Sequence, residues 1–219
     1  MSATFVFFHV GPDFQQPTMM VHSLREANPS ATIIQCTDDA TPPIQNVHRV
    51  VRSAGNSANL MTYRISAFAE LNLTHPALYL DTDMLALQPI DPAALLGGLE
   101  VMLCQRQFDT QSPHSGAQRG VQFPEHRGIP LGVVYPYVAC ATITRNFEFW
   151  KELQSIIDRL DERFHRWYGD QEAMRLWAEE RGSRGLGCRC VHASCAPAAG
   201  VRRGSPPRRP SGWPVARRR

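Results

Sequence analysis

A chain of 219 residues that is 43% hydrophobic and 20% charged can build one sizeable core and is neither collagen-like nor wholly disordered. Its formal net charge of +3 hides a division: all 20 acidic residues precede residue 181, against 13 basic ones there, whereas residues 181–219 hold ten arginines and no acid. No stretch approaches the roughly 20 apolar residues of a membrane-spanning helix. The apolar run at residues 5–10 is too short for a secretory signal and follows no basic residue, so a cytoplasmic protein is expected.

Taken in order, residues 4–9 are almost all β-branched or aromatic and end at Gly11-Pro12, which reads as a first strand. Pro17 opens a helix with Met20, Val21 and Leu24 on one face, stopping at Asn28-Pro29. Residues 32–37 read as a second strand closed by Asp38 and Asp39, and residues 47–51 as a shorter third. From about residue 57 to 71, Met61, Ile65, Phe68 and Leu71 recur at helical spacing, with Asn56 or Ser57 as the cap.

That helix feeds the stretch ALYLDTDMLALQPID at residues 77–91. Residues 77–80 form an apolar run between turn formers, as a buried parallel strand does, and it ends at Asp81 and Asp83. In an extended chain residues i and i+2 share a face, so the two carboxylates are expected to point together and to repel unless a cation lies between them. Hard divalent ions suit such a pair, because they take oxygen ligands and are commonly completed by substrate phosphates. The plain alternative is that Asp is favoured in turns after strands.

Residues 101–104 read as another strand. Residues 105–131 are polar, rich in Gln, His, Arg, Gly and Pro, and without a sustained period, which predicts a lid or acceptor loop. Residues 138–144 are a strand, Asn146 caps a helix bearing Phe147, Trp150, Leu153, Ile157 and Leu160, and Asp170 opens a last helix through Trp177. A helix followed by a buried strand is half of a βαβ unit, so a mainly parallel sheet with helices on both faces is expected. Cys36, Cys104 and Cys140 fall singly in apolar segments and are expected as buried thiols.

The strand, helix and strand at the N-terminus, a helix carrying Arg64, the YLDTDMLAL segment and the later YGDQEAM resemble the nucleotide-sugar glycosyltransferases of the GT-A fold, in pattern those of the glycogenin-like and bacterial lipopolysaccharide types. The resemblance covers about residues 1–178. It implies a single Rossmann-like α/β domain at residues 1–180 with a mostly parallel mixed sheet, and transfer of a sugar from a nucleotide diphosphate, a UDP-sugar foremost, to a hydroxyl of a sugar, lipid or protein acceptor. Asp81 and Asp83 match the residues that hold Mn²⁺ or Mg²⁺ on the donor diphosphate. Arg64 matches a basic residue near the donor phosphates or the first motif acid, or else is an ordinary solvated arginine. Asp170 matches the D-Q motif beside the sugar and equally fits a helix cap. His9 and Asp38, at the ends of the first two strands, stand where these families bind the nucleoside, although a rim histidine is the plainer account of His9.

One departure stands out. These families place a histidine with Gly and Lys in a C-terminal motif, whereas the single lysine here is Lys151 and the last histidine is His192. Residues 181–219 hold no acid and almost no large aliphatic residue, and read as a disordered tail or the product of a shifted reading frame. Cys188, Cys190, His192 and Cys195 invite a zinc reading, but they crowd into one turn and lack the paired spacing of zinc sites. The arginines could meet nucleic acid or anionic lipid by charge alone; no specific nucleic-acid partner is expected. Two other functions compete with transfer. A haloacid-dehalogenase-like phosphatase also has a strand ending in D-x-D, but on its first strand. A truncated, non-catalytic nucleotide-sugar-binding module is the other.

Overall fold

The structure, a computed structural model, describes residues 2–182 and 186–188. Its strands are β1 (Thr4–Phe8), β2 (Thr32–Thr37), β3 (Arg49–Arg52), β4 (Ala77–Leu80), β5 (Val101–Gln105), β6 (Ala117–Gln118), β7 (Val121–Gln122), β8 (Tyr137–Thr144) and β9 (Leu186–Cys188). Its helices are α1 (Gln15–Ala27), α2 (Leu60–Glu70), α3 (Pro92–Leu96), α4 (Leu131–Val134), α5 (Glu148–Ile157), α6 (Glu162–Arg166) and α7 (Gly169–Arg181). Seven strands form one sheet in the order β3-β2-β1-β4-β8-β5-β9, and β6 and β7 form a separate hairpin.

The sheet is α/β, mixed and mostly parallel, as expected. β8 alone runs against its neighbours β4 and β5. The reason lies in the connection before it. A helical crossover returns the chain to the far end of a sheet and makes the next strand parallel, but the one α-helix in residues 106–136 is the four-residue α4, too short for a crossover. The chain therefore re-enters from the end where β5 stopped.

Alternation along the strands divides the core in two. Val6, Ile34, Cys36, Ala77, Tyr79 and Leu103 face α2, α5 and α7, where Phe68, Tyr79 and Trp150 pack with ring centroids 4.6–4.9 Å apart. Phe5, Phe7, Ile33, Leu78, Met102 and Ile143 face α1 and Leu96 of α3. Full burial of each such side chain stabilises by roughly 1.5–3 kcal/mol, so β1 and β4, buried on both faces, form the rigid centre that carries the site.

Several expectations are corrected. The third strand begins two residues later than the apolar run suggested. A single 3₁₀ turn at Ser57–Asn59 precedes α2, with Asn56 Oδ1 accepting from Ala58 N at 2.9 Å. Residues 105–131 are not a featureless loop. They hold the β6–β7 hairpin and a 3₁₀ turn at Pro124–His126, and they are anchored by buried His114, Phe123 and Tyr135 in a box of rings closed by His126, Phe164 and Tyr168. The expected tail contributes β9, which pairs in parallel with β5. Cys190, His192, Cys195 and the rest of residues 189–219 lie outside the described residues.

Candidate functional site

Since β1, β2 and β4 are parallel, their carboxyl ends open on one edge of the sheet, the usual place for ligands in such folds. A cavity of about 790 Å³ lies there. His9 after β1, Arg64 of α2, Asp81 and Asp83 after β4, and Asp170 of α7 all line it. Asp38 does not. Its Oδ1 accepts from Thr41 N at 2.7 Å, and hydrogen bonding to Thr41 holds its carboxyl below the ordinary range. It shapes the turn after β2.

Strand β4 ends at Leu80, so Asp81 and Asp83 are not on an extended segment. Asp81 N still donates to Cys140 O at 2.9 Å, continuing the ladder by one rung, and Met84 N closes a turn on Asp81 O. Both carboxylates reach the cavity because the turn carries them there, with Asp83 exposed and Asp81 partly covered. Burial pushes the Asp81 carboxyl up against the pull of Arg64, and repulsion from Asp170 and Asp83 adds to that rise.

Arg64 is the hub. Nη1 donates to Asp81 Oδ1 at 2.6 Å and Nη2 to Asp170 Oδ2. The side chains of Arg64 and Asp170 are 12% and 2% exposed, so this is a buried pair rather than a solvated arginine. Desolvation opposes the charge of the guanidinium, and the two carboxylates more than restore it, so that its pKa rises.

Asp170 is no helix cap. Tyr168, in the left-handed region at φ 65, precedes α7 without a side-chain cap, and Asp170 Oδ1 accepts instead from Gln171 N at 2.7 Å. Gly169 lets α7 start this close to its neighbours: an added Cβ would lie 2.4 Å from Phe164 O and 2.6 Å from Thr62 Cγ2.

Arg106 was not singled out by sequence reasoning. It is buried, donates through Nε to Tyr135 O at 2.9 Å and through Nη2 to Gln171 Oε1 at 2.7 Å, and sits over Phe108. The D-Q pair is thus held by two arginines, Asp170 by Arg64 and Gln171 by Arg106. An arginine directly after an apolar strand was the available signal.

The His9 imidazole lies in the wall with Nε2 buried and without a hydrogen-bond partner, and burial holds its pKa below 6.5, in the neutral form. Leu60, Met61, Met84, Phe108 and Trp167 supply the apolar lining. Cys104 and Cys140 also line the cavity and are half-buried, so the expectation of buried thiols holds only for Cys36. The Cys140 thiol is raised well above its ordinary range, by Cys104 first and then by burial. Among the described residues no helix is long and apolar enough to cross a membrane.

No protein-family model matches the chain, and no curated protein matches it. Solved structures do. The glycosyltransferase GlyE of Streptococcus pneumoniae TIGR4 is 15% identical with a TM-score of 0.53, over 86% of this chain and 45% of that one. The bifunctional glycosyltransferase WbbM is 13% identical with a TM-score of 0.53, over 86% and 38%. A nucleoside-diphosphate-sugar pyrophosphorylase of Vibrio cholerae RC9 is 10% identical with a TM-score of 0.52, over 86% and 93%. The chain spans less than half the length of GlyE and WbbM, and at these identities the likeness is one of fold: an α/β domain of the GT-A type.

Proposed function

We propose that this protein is a metal-dependent glycosyltransferase, taking a nucleotide diphosphate sugar in the cavity and passing its sugar to an acceptor hydroxyl. The observation that carries the reading is the charge of the cavity wall. Its two arginines are already committed, Arg64 to Asp81 and Asp170, Arg106 to Gln171 and Tyr135, while Asp83 has no ion-pair partner among the described residues and adds to the charge around Asp81. A diphosphate entering alone would meet net negative charge. A divalent cation between the two removes that conflict.

The residues fit such an ion. Asp81 and Asp83 offer hard carboxylate oxygens, the donors Mg²⁺ and Mn²⁺ take. Among the described residues no group of three or more His, Cys, Asp or Glu side chains is placed to hold a metal alone, so substrate oxygens and water complete the set, as is common for Mg²⁺. When bound, the ion would supply Lewis-acid stabilisation of the charge on the departing diphosphate.

The chain's own residues do the rest. Arg64 fixes Asp81 and Asp170 relative to one another. Both oxygens of Asp170 already accept hydrogen bonds, so Asp170 orients a sugar hydroxyl through its remaining lone pairs. The His9 ring, in the cavity wall, packs against the nucleoside. Leu60, Met61, Phe108 and Trp167 give the cavity apolar lining for the nucleoside.

The test is calorimetric titration of UDP and UDP-sugars with and without Mn²⁺, followed by assay of UDP release with an acceptor. Binding that ignores Mn²⁺, or that survives Asp83→Asn unchanged, removes the metal from the proposal. The pyrophosphorylase likeness makes nucleotidyl transfer the second reading. Pyrophosphate-dependent breakdown of the nucleotide sugar, in place of UDP release, would select it.

A further inference from the structure

Arg106 and Gln171 stand 65 residues apart in the chain, and the bond between them fixes which end of an amide the cavity meets. A guanidinium carries five N–H donors and no acceptor, so the atom 2.7 Å from Arg106 Nη2 is the oxygen of the Gln171 amide and cannot be its nitrogen. The amide is planar, so its NH₂ arm is turned away from Arg106. Gln171 is half-buried and lines the cavity, no hydrogen bond among the described residues uses its Nε2, and that nitrogen is not a buried orphan. Its two N–H groups are left for a ligand. Arg106 is in turn held from three sides: its Nε donates to Tyr135 O at 2.9 Å, its main-chain N–H donates to Pro136 O at 2.8 Å, and its guanidinium carbon lies 5.2 Å from the centre of the Phe108 ring. It is buried as well, and does not follow the amide if the amide turns.

We propose that Arg106 is a positioning residue, which locks Gln171 with its NH₂ toward the ligand and makes this part of the wall a hydrogen-bond donor for a sugar oxygen. The inference rests on the reading of the cavity as a nucleotide-sugar site. An amide held by nothing turns about its last torsion between two ends of similar shape, and offers a ligand either polarity. Arg106 removes the turned state, because that state sets an amide N–H against a guanidinium N–H. Asp170, the neighbouring residue, offers the opposite polarity, since its carboxylate accepts. Together the two supply an acceptor and a donor, which suits sugar hydroxyls, groups that both donate and accept. Gln171 Oε1 is committed to Arg106 and does not serve the ligand as an acceptor.

The experiment measures calorimetric affinities of the full chain for UDP, UDP-glucose, UDP-galactose and UDP-N-acetylglucosamine, all with Mn²⁺, in the wild type and in variants. The quantity read is the ratio of UDP-sugar to UDP affinity, in which any effect of charge on the shared diphosphate cancels. Gln171→Glu keeps an oxygen for Arg106 but turns a second oxygen to the ligand, and should lower the best ratio about tenfold. Arg106→Met should lower it about threefold, and by nothing further once Gln171→Met is also present, because Arg106 acts on the sugar through the amide alone. Gln171→Glu decides the polarity by itself if Arg106→Met does not fold, as thermal unfolding shows. A ratio unchanged in Gln171→Glu, a wild-type ratio of one for all three sugars, or an Arg106→Met effect that persists beside Gln171→Met would overturn the proposal. Absence of Mn²⁺-dependent UDP binding in the wild type would instead overturn the reading of the cavity, and the proposal with it.

Discussion

Arg64 and Asp170 are 106 residues apart in sequence and form a buried ion pair that joins α2 to the start of α7. Removing one partner of such a pair leaves the other charged and desolvated, at a cost of about 3–5 kcal/mol. Arg64→Ala is therefore expected to destabilise by about 3 kcal/mol or more in urea unfolding. Asp81, whose side chain is 37% exposed, is different. Asp81→Asn leaves Arg64 paired with Asp170 and should cost no more than about 1 kcal/mol. Equal losses in the two variants would show that the pair with Asp170 is not the structural link.

Asp83 separates binding from stability. It is exposed and sits in a turn, so Asp83→Asn should change unfolding free energy by less than about 0.5 kcal/mol. Under the proposed function it should also weaken Mn²⁺-dependent nucleotide binding about tenfold or more, one lost charge-assisted ligand being worth over about 1.4 kcal/mol. Calorimetry and thermal unfolding on the same sample check both halves.

Acid should loosen the ring box around His114. The imidazoles of His114 and His126 lie with centroids 5.5 Å apart, and both pKa values are lowered below 6.5. For His114 the causes are burial first and then His126, opposed by Glu125. For His126 they are burial first, with Glu172 and Glu125 opposing and Arg175 and Arg163 adding. A folded-state pKa below the unfolded one means the unfolded chain binds more protons, so stability rises with pH across that interval. Falling pH should thus erode stability from about 6.5 down to the lowered folded values, with His9 contributing in the same direction. His126→Phe should flatten the profile between pH 7 and 5.5 as read by denaturant midpoints; an unchanged slope would locate the acid sensitivity elsewhere.

Gly169→Ala should be costly despite its small size. The new methyl would meet Phe164 O and Thr62 Cγ2 inside contact distance, forcing α7 away from α2 and α6. Overpacking of this kind typically costs about 1–3 kcal/mol. Because Asp170 follows directly, the variant should also disturb the Arg64 pair, visible as a loss larger than that of Gly98→Ala, a glycine with open space around it.

Ending the chain at residue 182 removes β9 and leaves β5 as a bare sheet edge, whereas ending it at 188 keeps the pairing with Val101–Leu103. The shorter form is expected to melt lower by about 2–4 °C, the shift that about 1 kcal/mol makes in a domain of this size. Identical melting would mean that β9 adds nothing to the fold.

What the sequence determined by itself is what short-range pattern encodes. The apolar runs at residues 4–9, 32–37, 77–80 and 138–144 became strands because burial on both faces demands continuous hydrophobicity. The 3.6-residue spacing of Met20, Val21 and Leu24, or of Ile65 and Phe68, became helix faces. Asp81 and Asp83 stood out because an apolar strand is broken abruptly by two acids, and Asp170 because its motif is local; all three line the cavity. Tertiary structure alone decided the remainder. The direction of β8 follows from where residues 106–136 re-enter. Arg64 chose Asp81 and Asp170 over solvent only because α2 and α7 converge on the end of β4. Arg106 gained its role from Gln171 and Tyr135. The box around His114 arises from rings scattered between residues 114 and 168, in a segment whose polar composition predicted a loop. In each case the deciding contact joins residues with no local signal in common, and its free energy exists only once the sheet has brought them together.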